Sequence, residues 1–457
     1  MTISEKLSTH AECLIIGAGH NGLSVAASLR NCGVNPILLE QNNAIGDQWR
    51  NRYDRLHLHH ITDAMHLPGL PYPDHVPRYL SRLDLADYLE AYATVNNLDV
   101  RTGHRVTHLR RRDGGGWEAQ VQRSNQANSV LFTADEVLIA AGVSGITPRT
   151  PDLKGKNEWA GQVLHSAEYQ NAEGYERKKV LIVGAGNSAV ELCCDLYDHQ
   201  AVPSMLIRGP NCWITRETFA FYHRLVQYGA PLLKYVPFSW LVAPLLIYGF
   251  DWWLQPYVKR RYGDLSHKGI HYHPTPPMLR LVKTAGAHAP TYVDGTWGDV
   301  GVSIFDLIRD DKVPTFTTEI SHLEPNSNTV VFKDGQKADF DVVLLCTGFH
   351  PIFAHYETFI DSAVMEILGR EGVFRAREEM PELPGLWAVL GGFVGSRHGQ
   401  VILAERIAAK LQKRAPPPRV LDGWVAYSLS GPDPVLLQVP KRTILINALA
   451  LLALLTI

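Results

Sequence analysis

Gly17, Gly19 and Gly22 stand in the order G-x-G-x-x-G, and Glu40 follows 23 residues after the first of them. That spacing suits the holding of a dinucleotide. The first glycine allows a tight turn, the second lets backbone N–H groups approach a pyrophosphate, and the third lets a helix pack closely on a strand. The helix N-terminus then turns its positive dipole end to the phosphates, while the acid accepts hydrogen bonds from a ribose 2′-hydroxyl. A second set, Gly184 and Gly186 with Ala189 in the third position, repeats the pattern, since Ala is also small enough where helix meets strand. At the end of its second strand Arg208 replaces the acid, a cation able to pair with a 2′-phosphate. The two sets imply one site for FAD or NAD and one for NADPH.

Two such sites in one chain suit the passage of a hydride from a nicotinamide to a flavin, with the flavin carrying the harder redox step. A disulfide reductase would need a redox cysteine pair. The six cysteines (Cys13, Cys32, Cys193, Cys194, Cys212, Cys346) contain no C-x-x-C, and the adjacent Cys193 and Cys194 read as core positions of a helix. Electrons are therefore expected to go to oxygen or to an external acceptor, and no metal site is expected.

The elements that must position these residues are legible in two segments of like design. CLIIGAGHNGLSVAASLRNCGVNPILLE (13–40) and KVLIVGAGNSAVELCCDLYDHQAVPSMLIR (179–208) each run as strand, glycine turn, helix, strand. EVLIAAG (136–142) and its echo DVVLLCTG (341–348) each follow one unit and end in small residues and glycine, where the chain can pass close beside a ligand. The expected architecture is α/β, with two nested Rossmann-like dinucleotide-binding domains. Residues 1–165 and 331–413 form the first, 166–330 the second, and an aromatic stretch at 219–262 covers a cavity, touches a membrane or packs as ordinary core. Residues 414–457 open with APPPR, whose prolines mark a linker.

Composition narrows the partners. With 44 Lys plus Arg against 46 Asp plus Glu and no long run of one sign, the chain lacks the basic footprint of a nucleic-acid binder. Its N-terminus, MTISEKLSTHAE, lacks the basic-then-apolar order of a signal peptide, so a cytoplasmic location is expected. The final 15 residues, TILINALALLALLTI, are uncharged, and a helix of that length at about 1.5 Å per residue falls short of a bilayer core of about 30 Å. Peripheral membrane contact, packing on the protein body and a dispensable tail are the three readings of it.

Between the two units, WAGQVLHSAEYQ resembles the F-x-G-x-x-x-H-x-x-x-(Y/F) signature of the flavin-dependent monooxygenases of the flavin-containing and YUCCA type. The match falls on Trp159, Gly161, His165 and Tyr169, with Trp159 in place of Phe. Other segments extend the resemblance over residues 11 to 412. IGDQWRNRYDRLHLHH, with Gln48 and Trp49, is similar to the family's G-G-x-W and Y-D-R-L stretch. GNSAVE, with Asn187 and Ser188, is similar to its NADPH-site G-N-S-G-x-E, and LLCTGF, with Gly348, to its A-T-G-Y hinge. Near the end, GLWAVLGGFVGSRHGQVILAERIAAKL resembles the segment whose helix faces the flavin ring, here from Gly399 and Gln400. Where many members place an Asn against the flavin, the ungapped match puts His59.

The resemblance implies an FAD- and NADPH-dependent monooxygenase that oxygenates a small organic molecule with O2 through a C4a-(hydro)peroxyflavin. Amine or sulfide oxygenation, hydroxylation, and oxidative decarboxylation of a 2-oxo acid such as indole-3-pyruvate are the implied chemistries. His59, His165 and Tyr169 are the candidate residues of the reaction centre, with His165 expected to act in communication between domains. The alternative is a flavin reductase or oxidase that passes electrons to a quinone, a carrier or oxygen.

Overall fold

The computed structural model describes residues 9–416 other than 125, 127, 143–146, 210–212, 216–258, 261, 271–290, 294–302, 351, 372–381 and 390–395. Most of the aromatic stretch and all of the apolar tail, with the expectations attached to them, lie outside the described residues. Among the described residues no helix is long and apolar enough to cross a membrane.

β1 (His10–Ile16), α1 (His20–Asn31) and β2 (Ile37–Leu39) form the first strand–helix–strand unit. α1 sits close on its sheet because the face it turns inward is small: Gly22, Ser24, Ala26, Ala27 and Ser28 are buried, with Leu23 and Leu29 filling the gaps. The chain continues through α2 (Asp47–Arg50), α3 (Thr62–Met65) and α4 (Arg82–Val95), the last opened by a capping box in which Ser81 and Asp84 satisfy each other's backbone N–H. β3 (Asp99–Arg101) pairs with β2, and β4 (His104–Arg111), β5 (Trp117–Arg123) and β6 (Ser129–Ile139) form an antiparallel meander. The order is β3-β2-β1-β6-β5-β4, so β1 and β6 meet where the chain switches sides of the sheet.

The second unit comprises β7 (Gln162–His165), β8 (Lys179–Val183), α5 (Asn187–Asp198), β9 (Val202–Leu206), β12 (Thr315–Phe316) and β16 (Val342–Leu345). Its sheet runs β12-β9-β8-β16-β7, parallel throughout. Inserted among them are the short pair β10 (Trp213–Thr215) and β11 (Thr291–Val293), α6 (Ile304–Arg309), and the antiparallel meander β13 (Ile320–Leu323), β14 (Thr329–Phe332) and β15 (Lys337–Asp339). The chain then passes α7 (Ile352–Tyr356) and α8 (Ser362–Glu371) and returns to the first sheet as β17 (Leu386–Ala388) beside β6. α9 (Ser396–Leu411) closes the first unit against α1, and the Gln412 amide just beyond it donates to the carbonyl of Cys32 (2.7 Å).

The nested order matches the sequence reading, but the changeovers at 165 and 331 do not. β7 and β16 pair with each other, and β16 with β8, so residues 162–165 and 342–345 both belong to the second sheet. The physical reason is symmetry of construction. Each glycine turn needs a strand on the far side of its first strand; β6 serves the first unit, and the echo at 341–348 serves the second. The chain leaves and rejoins the first domain through two adjacent segments. Pro148 and Phe349 form an antiparallel bridge, the amide of Arg149 donates to Gly348 O (2.9 Å), and the amide of His350 donates to Thr147 O (2.9 Å).

Candidate functional site

Gly17 has a φ of +103°, and its amide donates to Leu39 O across the sheet (2.8 Å). A Cβ there would stand 2.5 Å from the carbonyl oxygen of Ala140, just after β6. At Gly22 a Cβ would fall 2.0 Å from Gly17 O, so the helix rests directly on the turn. Gly19 differs from both: it caps α1 with extended backbone, and a Cβ would meet no atom within 4 Å. The open volume over its N–H is where a pyrophosphate fits. Glu40 is held at the end of β2 by the amide of Ala18 (2.9 Å) on one carboxylate oxygen, and by the amide (2.9 Å) and side chain (2.8 Å) of Asn42 on the other.

The second unit repeats the construction. Gly184 has a φ of +132°, its amide donates to Leu206 O (3.0 Å), and a Cβ would stand 2.5 Å from Cys346 O after β16. Gly186 caps α5 over open space, and Ala189 is fully buried. Burial pushes the Cys346 thiol up to about 12, which makes it an inert packing group in this floor.

Both units open into one cleft of about 660 Å³. Gly17, Gly19, Glu40, Gln48, Trp49 and His59 line it from the first domain, and Asn187, Ser188, Glu191 and Tyr169 from the second. Arg52 also lines it, with its guanidinium 5.7 Å from the centre of the Phe349 ring and its Nε donating to Gln48 O (3.2 Å). Among the described residues no group of His, Cys, Asp and Glu could hold a metal ion.

Several expected site residues lie elsewhere. His165 is 1 % exposed at the end of β7 and does not line the cleft. Its Nδ1 accepts from the amide of Ala167 (3.1 Å), so Nε2 carries the proton and donates to Gly348 O (3.1 Å). Burial holds its pKa below the usual imidazole value. Gly348, with a φ of +79°, is thus its partner and stands behind the cleft wall that Phe349 forms. Gln400 is also buried behind the wall: its amide donates to Asn21 Oδ1, Asn21 lines the cleft, and Gln400 Oε1 has no partner among the described residues. Arg208 is 68 % exposed beyond the cleft, 3.6 Å from Glu319, a surface pair too solvated to immobilise it.

The least legible part of the site is the seam between the domains. α5 carries Glu191, Asp195 and Asp198 at i, i+4 and i+7, on one face. The loop after α2 reaches them from the other domain. The Tyr53 hydroxyl donates to Glu191 Oε2, His59 Nε2 stands 3.3 Å from Glu191 Oε1, and Arg55 pairs with Asp198 (2.6 Å) and Asp195 (3.8 Å). Tyr169 donates to Asp195 Oδ2 (2.7 Å) from the second domain itself. Burial first, then the neighbouring carboxylates, raise the pKa of both tyrosines, so each stays a proton donor. The signal available in the sequence was the four-then-three spacing of these carboxylates, with their partners supplied by YDRLHLH at 53–59.

A family model for pyridine nucleotide-disulphide oxidoreductases matches residues 14–220. The indole-3-pyruvate monooxygenase YUCCA1 of Oryza sativa subsp. japonica is 32% identical over 342 residues, which cover 74% of this chain and 76% of that protein. A probable indole-3-pyruvate monooxygenase of Arabidopsis thaliana, YUCCA10, is 27% identical over 338 residues, covering 74% and 81%. Among solved structures, the open form of cyclohexanone monooxygenase superposes with a TM-score of 0.63 at 14% identity, covering 89% of this chain and 88% of that one. A flavin-containing monooxygenase from Stenotrophomonas maltophilia superposes with a TM-score of 0.54 at 18% identity, covering 88% and 98%.

Proposed function

The chain belongs to the YUCCA-type flavin monooxygenases, enzymes dependent on FAD and NADPH, and from that premise we propose that it oxygenates a small aromatic 2-oxo acid of the indole-3-pyruvate kind. The observation that carries this reading is that a single cleft is shared by the first glycine turn and by the start of α5, and is lined by Trp49, Phe349 and the Arg52 guanidinium. Aromatic walls suit an aryl group, and a half-buried guanidinium suits a carboxylate.

The residues present fit both cofactors. The open space over Gly19 and Gly186 accepts two pyrophosphates, and the orphaned Gln400 Oε1 offers a buried acceptor beside Asn21. FAD would be held by Gly17, Gly19, Gly22, Glu40, Gln48 and Trp49, with Gln400 acting from behind Asn21. NADPH would be held by Gly184, Gly186, Asn187 and Ser188, with Arg208 swinging from its surface position to the 2′-phosphate. When bound, the pair supplies the reducing equivalents and the ring that activates oxygen.

The chain's own part is to orient, to keep water out and to hold protons. His59 keeps an imidazole at the cleft wall against Glu191 and can donate a proton there. Tyr169 fixes the wall through Asp195, and His165 ties β7 to the turn at Gly348. Decarboxylation of a 2-oxo acid balances as one 2-oxo acid anion, one O2, one NADPH and one proton giving the acid anion shortened by one carbon, CO2, NADP⁺ and water.

The test is to supply the purified protein with NADPH and oxygen and compare indole-3-pyruvate and phenylpyruvate with a thioether and a tertiary amine. The expected result is one CO2 per NADPH consumed with the oxo acids and no sulfoxide or N-oxide. Sulfoxide or N-oxide formation with no CO2 release would overturn the substrate assignment.

A further inference from the structure

Glu191 lies one turn into α5, the helix whose first residues, Asn187 and Ser188, face the cleft where NADPH is proposed to sit. Its carboxylate is 2 % exposed and receives two groups from the other domain, the Tyr53 hydroxyl and His59 Nε2. Tyr53 also shares a hydrogen bond with Ser188, so one phenol touches both the phosphate-facing end of α5 and its buried carboxylate. Tyr53 and His59, which the chain of the first domain supplies, are at the same time walls of the cleft. Between them in sequence, Leu56 packs against the cores of both domains.

We propose that Glu191 is a positioning residue that couples nucleotide engagement by α5 to the shape of the flavin side of the cleft. The inference rests on the cofactor placement proposed above. The coupling is mechanical. A ligand that draws the N-terminus of α5 toward its phosphates moves the carboxylate one turn behind it, and Tyr53 and His59 must move with that carboxylate. A buried carboxylate will not give up its donor, the Tyr53 hydroxyl, without leaving a charge unpaired, which is a strong penalty and makes the linkage stiff. The seam continues below it, where Arg55, itself 15 % exposed, pairs with the buried Asp195 and with Asp198.

The experiment uses the FAD-loaded protein and the variants Glu191→Gln, Tyr53→Phe and the double variant. NADP⁺ binding is measured by equilibrium dialysis, the response of the flavin's visible band is recorded in the same samples, and anaerobic reduction by NADPH is followed by rapid mixing. For Glu191→Gln the expected result is NADP⁺ affinity within about threefold of the parent, a lost or reversed flavin-band response, and reduction slowed about tenfold or more, as misplacement by an ångström would do. Tyr53→Phe, which removes one oxygen and keeps the ring that packs in the second core, should act in the same direction, and the double variant should be no slower than Glu191→Gln, since both act through one contact. Normal reduction with a normal band response in either single variant would overturn the proposal. So would affinity and rate falling in proportion, the mark of a helix that is merely weakened. Parent protein that binds no FAD, or is not reduced by NADPH, would instead defeat the cofactor placement.

Discussion

At the scale of single residues, the glycines separate into two kinds that the G-x-G-x-x-G pattern does not distinguish. Gly17 is indispensable to the fold: its φ of +103° strains any side chain, and Ala140 O occupies the place a Cβ would take. Gly19 is indispensable to the ligand alone, because its backbone is ordinary and the space beside it is empty of protein. Gly17→Ala is therefore expected to lower the melting temperature of the apoprotein, and Gly19→Ala to leave it within a degree or two while weakening FAD at least about tenfold, through lost approach to the pyrophosphate. Calorimetry on FAD-free protein and a flavin titration check both. Arg208→Ala should cost little stability, since its only described partner is across a solvated gap, yet raise the KM for NADPH by the equivalent of about 1.5 to 3 kcal/mol and leave NADH use unchanged. Steady-state kinetics with both nucleotides decide this. His165 and His355 are both held below their usual value by burial, so folding favours their neutral forms. In the unfolded chain they take up protons first. Their contribution is fully present above about 6.5 and is lost as pH falls below it, so the melting temperature should drop between pH 7 and 5.5, and less steeply in His165→Gln.

At the scale of elements, what was legible in the sequence was whatever local spacing fixes. Both strand–turn–helix–strand units, with Glu40 at the end of β2, stand where the apolar runs and glycines put them, because a turn, its helix and its next strand are neighbours in the chain. β16 joins the second sheet, against the sequence reading, because partner choice is non-local: its sequence resembles 136–142, and only its pairing with β7 and β8 shows which sheet it completes. The seam was missed for the same reason: Tyr53 and Glu191 are separated by 138 positions, and no periodicity links them. α5 carries the consequence. Arg55→Ala removes the cation shared by Asp195 and Asp198 and should cost about 1 to 3 kcal/mol of unfolding free energy. Urea titration measures that loss, and the loss should shrink in Arg55→Lys.

At the scale of the whole molecule, two copies of one device face a common space. Each is a strand switch whose floor is a glycine turn pressed on a backbone carbonyl, Ala140 O in one and Cys346 O in the other. The peptides that form these floors run directly into the two crossings between domains, where Pro148 bridges Phe349 and Arg149 bonds Gly348. An insertion whose two ends lie side by side behaves as a cassette. A host domain accepts such a cassette without rearranging its own sheet when the two neighbouring cut points stay a short distance apart and α5 keeps the seam partners of Tyr53, Arg55 and His59. Exchanging the stretch from 149 to 348 for that of a related enzyme should accordingly carry coenzyme preference with it as one heritable unit, while the flavin half keeps its own substrate.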